Sequence, residues 1–314
     1  YRADRPATSG GAAATAARVL LLQVVHRIAL ALDHVLYRGF RKVVVKEPVF
    51  IVGIPRSGTT FCHHLLAEDP ATTTFLLWEL VFAPSIVERK LWYALGWIDR
   101  WLGNRGQRAL KAADAWFFAG IRPIHKVSLF EPEEDEIVLM PIFASVFLLL
   151  LFPFPKHLRH LTHFDEATPP ESKRRIMAFY KGCVQRHLYV HGPEKRFLSK
   201  NPVFSSKLKA LNETFPDCKV ICNVRRPYEA APSMISLFTY EWEQLDNDQR
   251  GYEFRDTLLE IMGHFYRHPI ACLPAWPENR HLFVQYGLLT QSPMQTVRDI
   301  YARFGFSLIP EYEE

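Results

Sequence analysis

The spacing of apolar and polar positions changes several times along the chain. Residues 15–41 interleave leucine, valine and isoleucine with Arg18, His26, Arg27, Asp33 and Arg38, a helical period. At VVVKEPVFIVGI (43–54) the pattern becomes a nearly continuous apolar run, which predicts a short buried β-strand, and TTFCHHLLAEDP (59–70) reads as a helix closed by Asp69-Pro70. Residues 75–119 are rich in Trp and Leu and predict mostly helix. ESKRRIMAFYKGCVQRHLYVHG (171–192) predicts an amphipathic helix begun near Pro169-Pro170 and stopped at Gly192. Three further strands are predicted at KRFLSKNP (195–202), CKVICNVRRP (218–227) and HLFVQYGLL (281–289). Between and after them, helices are predicted at 203–216, 228–238 and 292–306, the last capped by Ser292 or Thr290.

Strands alternating with helices imply an α/β fold with a central parallel sheet covered by helices on both faces. No internal repeat or long linker divides the chain. Residues 1–44 are expected to be a flexible Ala/Gly/Ser/Thr-rich segment followed by an amphipathic helix, and residues 45–314 one α/β domain.

Composition narrows the function classes. The chain has 314 residues, 48% hydrophobic and 13% aromatic, enough for a well-buried core. A net charge of +5 fits a small anionic ligand and is too weak for a nucleic-acid partner. The five cysteines (Cys62, Cys183, Cys218, Cys222 and Cys272) are irregularly spaced and read as reduced, buried thiols, hence a cytoplasmic expectation. Residues 137–152 form a run of 16 uncharged residues, short of the roughly 20 that a membrane span needs. A buried helix or the apolar wall of a pocket is expected there, with contact to a membrane surface as the open alternative.

The chemistry concentrates in Gly53-Ile54-Pro55-Arg56-Ser57-Gly58-Thr59-Thr60. This has the spacing of a nucleotide-binding phosphate loop, with Thr59 where the lysine would stand. A glycine-rich turn between strand and helix aims backbone N–H groups at one point, and the helix N-terminus adds positive charge. The lysine and the Mg²⁺-binding acid of ATP and GTP enzymes are missing, and the third predicted strand ends in arginines instead. A second anion element follows that strand: VRRPYEAAPS places Arg225 at the strand end and Ser233 eight residues on, with Pro227 suited to the first helical turn.

With PRSGTT after a strand, LSKNP before a helix and VRRPYEAAPS after a later strand, the chain resembles the sulfotransferases that use 3′-phosphoadenosine 5′-phosphosulfate (PAPS). It is nearest to the bacterial-type branch related to tyrosylprotein sulfotransferases. The resemblance covers roughly residues 47–310 and implies a P-loop-like three-layer fold. It implies that Arg56, Ser57, Gly58, Thr59 and Thr60 hold the 5′-phosphosulfate and that Arg225 and Ser233 hold the 3′-phosphate. It also implies that a sulfuryl group moves to an acceptor hydroxyl without a metal, leaving adenosine 3′,5′-bisphosphate (PAP).

Arg56 and Lys200 are the candidate cations for the leaving oxygen. Two candidates stand for the base. Glu79 lies 23 residues after Arg56, near the position of the glutamate of tyrosylprotein sulfotransferases, and His125 could match the histidine of the cytosolic branch. The acids Glu133, Glu134 and Asp135 read as a solvated helix start, and His157, His160 and His163 as a basic surface rather than a metal site. The apolar 137–152 run suggests a small lipophilic acceptor such as an alcohol or phenol. Two other readings are kept: a P-loop kinase-like phosphotransferase and a catalytically inactive nucleotide-binding scaffold. The latter is kept open by QYGLL at 285–289, where related chains carry acids.

Overall fold

The computed structural model describes residues 9–119, 127–151, 156–244 and 254–308. The chain starts with α1 (Ser9–Leu36) and a 3₁₀ turn (Arg38–Lys42), then enters β1 (Val49–Gly53) and α2 (Thr59–Ala67). A two-residue strand β2 (Thr72–Thr73) precedes α3 (Leu77–Phe82), α4 (Ile86–Trp101) and α5 (Arg105–Phe117). Three single turns follow, α6 (Leu148–Leu151), α7 (Arg159–Thr162) and α8 (Phe164–Ala167), and then the long α9 (Pro170–His191). The remainder alternates β3 (Arg196–Lys200), α10 (Leu208–Thr214), β4 (Lys219–Val224), α11 (Pro227–Gln244), α12 (Arg255–Cys272), β5 (His281–Gln285), α13 (Tyr286–Gln291) and α14 (Pro293–Phe304).

The sheet runs β2-β3-β1-β4-β5, and every pairing is parallel. β1 is central and buried along its whole length, which is why VFIVG reads as an unbroken apolar run rather than an alternating one. On one face Phe50 packs with Tyr180, Phe204 and Phe215; on the other, Ile51 packs with Leu198, Ile221, Ile300 and Leu289 under α2 and α14. The result is the three-layer α/β arrangement expected. The chain leaves β1 toward β3 on one side and later returns to β4 on the other, so the order of connection reverses between β1 and β4. The loops after these two strands therefore flank the crevice where open parallel sheets bind ligands.

The sequence missed β2, which is too short to carry a periodic signal. Residues 137–150 of the apolar run are buried in large part, but the run is not one helix. A 3₁₀ segment, Asp135–Ile142, contains Pro141 and ends at Phe143 in the left-handed region (φ 54°), and α6 follows separately. The helix expected after the flexible Ala/Gly/Ser/Thr-rich opening starts inside that opening, at Ser9. Ser292 does precede α14, but its hydroxyl makes no capping bond. All five cysteines are free and buried, and burial pushes Cys62 and Cys222 up to about 12, so neither offers a thiolate.

Candidate active site

The loop after β1 needs its glycines. Gly53 has φ 130°, and a Cβ there would lie 2.2 Å from the Asn223 carbonyl oxygen of the adjoining β4. Gly58 has φ 83° and abuts the ring of Tyr286. Arg56 also takes a left-handed conformation, φ 70°, which costs energy unless the surroundings fix it. They do so from two sides. Arg225 Nη1 donates to the Arg56 carbonyl at 3.0 Å, and Arg56 Nε donates to Ser233 Oγ at 2.9 Å. The base of the loop is held by Ser205, whose hydroxyl accepts from Gly53 N (2.9 Å) and donates to Gly53 O (2.8 Å).

Arg56, Arg225 and Ser233 are thus brought to one place, at the ends of β1 and β4 and in the second turn of α11. The Arg225 guanidinium stacks 4.2 Å from the centroid of Tyr286, and its Nε meets Glu229 at 3.1 Å. Tyr266 donates its hydroxyl to the Arg225 carbonyl. Tyr286 belongs to the QYGLL stretch, so the segment that departs from related chains still contributes a wall of this site. Ser57 differs from expectation: its side chain is fully buried and its hydroxyl is committed to the Ile54 carbonyl at 2.7 Å, so it shapes the turn and leaves the backbone amides as the donors. Thr59 and Thr60 open α2, where the unpaired amides and the helix dipole face the loop.

Lys200 ends β3 beside this loop. Its Nζ lies 3.4 Å from Thr60 Oγ1, 2.5 Å from Glu133 Oε1 and 3.1 Å from Glu134 Oε1. Burial alone would lower its pKa, but the two carboxylates outweigh that and raise it, so the ammonium stays charged inside the protein. The acidic run read as a solvated helix start is instead the buried counterpart of β3 and the segment after it. Glu133 and Glu134 pair with Lys200. Asp135 accepts from Asn201 Nδ2 at 3.0 Å and from the Tyr180 hydroxyl, and Glu136 pairs with Lys207 at 2.9 Å. Burial pushes the Asp135 carboxyl up to about 7 despite those bonds. His63, one turn into α2, is also buried, with Nε2 on Thr74 Oγ1 at 2.7 Å. Burial, then Lys200, holds its pKa well below the usual histidine range. Sequence reading missed His63, Ser205, Tyr286 and the two acids on Lys200. The one available signal was the pairing of an acidic run, EEDE, with the basic and amide residues of SKN.

Glu79 is placed elsewhere. It sits in the first turn of α3 with 1% of its side chain exposed, meeting His191 Nε2 at 2.7 Å, Arg89 Nε at 3.3 Å and His187 Nδ1 at 3.7 Å, and accepting from the Leu76 amide at 3.0 Å. Burial would raise its pKa, but Arg89 and the two histidines bring it down to about 2. Its carboxylate is buried and paired with side chains of α4 and α9. His125 lies outside the described residues. His157, His160 and His163 do not converge: His160 Nδ1 meets the His157 carbonyl, while His163 stacks on His264 of α12.

Comparison with known proteins agrees with this geometry. The sulfotransferase family model matches residues 48–310. The omega-hydroxy-beta-dihydromenaquinone-9 sulfotransferases Stf3 of Mycobacterium bovis and Mycobacterium tuberculosis are each 31% identical over 200 residues, 62% of this chain and 46% of theirs. The match thus spans less than half the length of these curated relatives. Among solved structures, sulfotransferase STF1 of Mycobacterium tuberculosis superposes over 93% of this chain and 76% of its own, with TM-score 0.70 and 26% identity. Sulfotransferase STF9 of Mycobacterium avium shares the fold over 94% of this chain and 74% of its own, with TM-score 0.75 at 22% identity. With a glycine-rich loop between β1 and α2, Arg225 and Ser233 bonded to its Arg56, and a family match across most of its length, the chain belongs to the sulfotransferase family.

Proposed function

We propose that this chain moves a sulfuryl group from PAPS to the hydroxyl of a small lipophilic acceptor. The observation that carries this reading is the junction of Arg56, Arg225 and Ser233, which joins the loop after β1 to the turn after β4 through hydrogen bonds of 2.9–3.0 Å. The loop amides and the N-terminus of α2 receive the phosphosulfate, and Arg225 with Ser233 receives the 3′-phosphate. The acceptor oxygen bonds to sulfur as the bond from sulfur to the bridging oxygen breaks, and Lys200 with Arg56 neutralises the charge that develops there. The acceptor proton passes to a carboxylate on Lys200. Glu134 is the base in this reading rather than Glu79: its side chain is 22% exposed beside the transferring lysine, against 1% for Glu79.

A lipophilic acceptor is supported by the apolar 137–151 segment beside the acids and by the hydroxylated menaquinone in the name of the Stf3 relatives. A metal has no role in this scheme, because arginine, lysine and backbone amides supply the positive charge. A kinase-like reaction is disfavoured by Thr59 in place of the loop lysine. The test is a thermal shift with PAP beside ATP plus Mg²⁺, followed by sulfuryl transfer from PAPS in EDTA. PAP alone should raise the midpoint, and transfer should survive chelation. Stabilisation by ATP plus Mg²⁺ but not by PAP would sink the proposal in favour of phosphotransfer, and PAP binding without any transfer would favour the inactive scaffold.

A further inference from the structure

Helix α1 is built inside out. The face turned to the protein carries Gln23, His26 and Asp33 beside the apolar Ala29 and Leu30, all buried. His26 Nδ1 lies 2.6 Å from Glu88 Oε1. The Asp33 carboxylate accepts from the Ile86 and Val87 amides, each at 3.0 Å, and pairs with Arg186 Nε at 2.8 Å. The face turned away from the protein is largely apolar: Leu21, Val24, Val25, Ile28, Val35 and Leu36 are all exposed, with Arg18, Arg27 and His34 the exposed basic residues among them. In a helix covering a water-soluble body the two faces would be reversed. The segment Ala17–Leu36 has a mean hydropathy of 1.7 and is only 28% buried. Its length and composition would suit a membrane span, but its polar stripe is bonded to the protein body from His26 to Asp33, about two turns. It therefore lies on that body and presents its apolar face outward.

The neighbouring α4–α5 hairpin extends the same character. α1 packs on α4, and α4 on α5. Trp97, Trp101, Leu102, Trp116 and Phe117 are exposed, Trp116 at 81%, and Asp114 is the single buried residue of α5. Exposed apolar residues normally occur singly on a soluble surface; two adjacent elements carrying them together mark a contact site. The tip is also basic. From residue 98 to 111, Arg100, Arg105, Arg108 and Lys111 face one acid, Asp99, and that acid is committed to the Gly106 and Gln107 amides at 2.7 and 2.8 Å.

We propose that the outward face of α1 and the α4–α5 hairpin dock this protein on an anionic lipid bilayer, lying in its interface rather than spanning it. Tryptophans with basic neighbours are the side chains that settle at the boundary between headgroups and acyl chains, the ring in the apolar layer and the cation at the phosphates. A second copy of this chain is a poorer occupant, because a two-fold contact over the hairpin would bring two basic tips together. The inference stands on this surface alone and does not depend on the reading of the active site. Taken with the proposed function, it puts the enzyme beside the phase in which a lipophilic acceptor dissolves.

The experiment is flotation of the full chain with vesicles of pure phosphatidylglycerol and of pure phosphatidylcholine, so that aggregates, which do not float, are not counted. The chain should float with phosphatidylglycerol, more weakly with phosphatidylcholine, and its tryptophan emission should shift to the blue. Trp101→Glu with Trp116→Glu should weaken flotation about tenfold or more. Arg105→Glu with Arg108→Glu should remove the preference for the anionic vesicle. An unchanged thermal midpoint identifies variants that are folded, and Trp101→Gln with Trp116→Gln is the milder substitute should the first pair unfold. The proposal is overturned if the chain floats with neither vesicle, if folded Trp variants float as well as the parent, or if a detergent-free dimer forms through this face and binds no vesicle.

Discussion

Replacing Arg225 by alanine removes two interactions at once. In the resting protein its Nη1 holds the Arg56 carbonyl at 3.0 Å and so supports the left-handed turn of the loop. In the proposed complex the guanidinium also meets the 3′-phosphate. A hydrogen bond from a charged group to an anion contributes about 1.5–3 kcal/mol and a bond to a neutral carbonyl about 0.5–1.5 kcal/mol. Only the phosphate bond is made on binding, so the loss in affinity is about 1.5–3 kcal/mol, which weakens PAP binding by about 10- to 150-fold, while loss of the carbonyl bond lowers the stability of the free loop. Arg225→Lys, which keeps the charge but loses the planar fork, should fall between parent and Arg225→Ala. The control is the next residue. Arg226 is 73% exposed and faces Tyr228 and Glu229 on the outside of α11, so Arg226→Ala should change the dissociation constant by less than about threefold. Titration calorimetry with PAP measures all three, and the ligand-free melting midpoint reports whether each is folded. Equal losses in Arg225→Ala and Arg226→Ala, or an unchanged affinity in Arg225→Ala, would refute the assignment of the 3′-phosphate to the junction of β1 and β4.

Two other substitutions separate the chemistry from the scaffold. Glu134→Gln should lower kcat by about 10²- to 10⁴-fold while PAP affinity holds, as measured by steady-state transfer beside calorimetry; a kcat within threefold of the parent, about 0.7 kcal/mol, returns the base to another group. Glu79→Gln should instead act on stability. A carboxyl held at about 2 in the folded chain and near the ordinary glutamate value of 4.5 when unfolded contributes stability that is fully present above about pH 4.5 and is lost as pH falls toward 2. That contribution is about 3 kcal/mol, and removing it should flatten the acid limb of the denaturation profile in this window. An acid limb identical to that of the parent would show that Glu79 is not the buried anion described.

Much of the site was legible because it depends on local backbone chemistry. The glycines of GIPRSGTT, the strand before and the helix after are all adjacent in sequence. The eight-residue interval from Arg225 to Ser233 fixes both ends of one helical stretch. The fold followed for the same reason: apolar runs such as VFIVG and KVICNV read as strands buried on both faces, and the structure pairs Gly53 with Asn223 at the switch point. What stayed hidden was the orientation of side chains and pairing over long range. Glu79 has the spacing expected of a base, but spacing does not tell which way α3 points it, and it points to Arg89, His187 and His191. The acids at 133–136 looked solvated because their partners, Lys200, Asn201 and Lys207, are more than 60 residues away along the chain. Alternation in α1 was read correctly as helical, yet period alone does not say which face turns inward.

The carboxylate of Asp33 has one more consequence. It takes the Ile86 and Val87 amides of α4, a helix that starts 53 residues later and that Ser85 and Glu88 also cap, and it neutralises Arg186 in the long helix behind the sheet. The recognisable family region begins at residue 48, after Asp33 and the whole of α1. Trimming the chain to that region would strip α4 of its anchor and leave a guanidinium stranded in a dry interior, so the boundary drawn by homology and the boundary of the cooperative unit do not coincide.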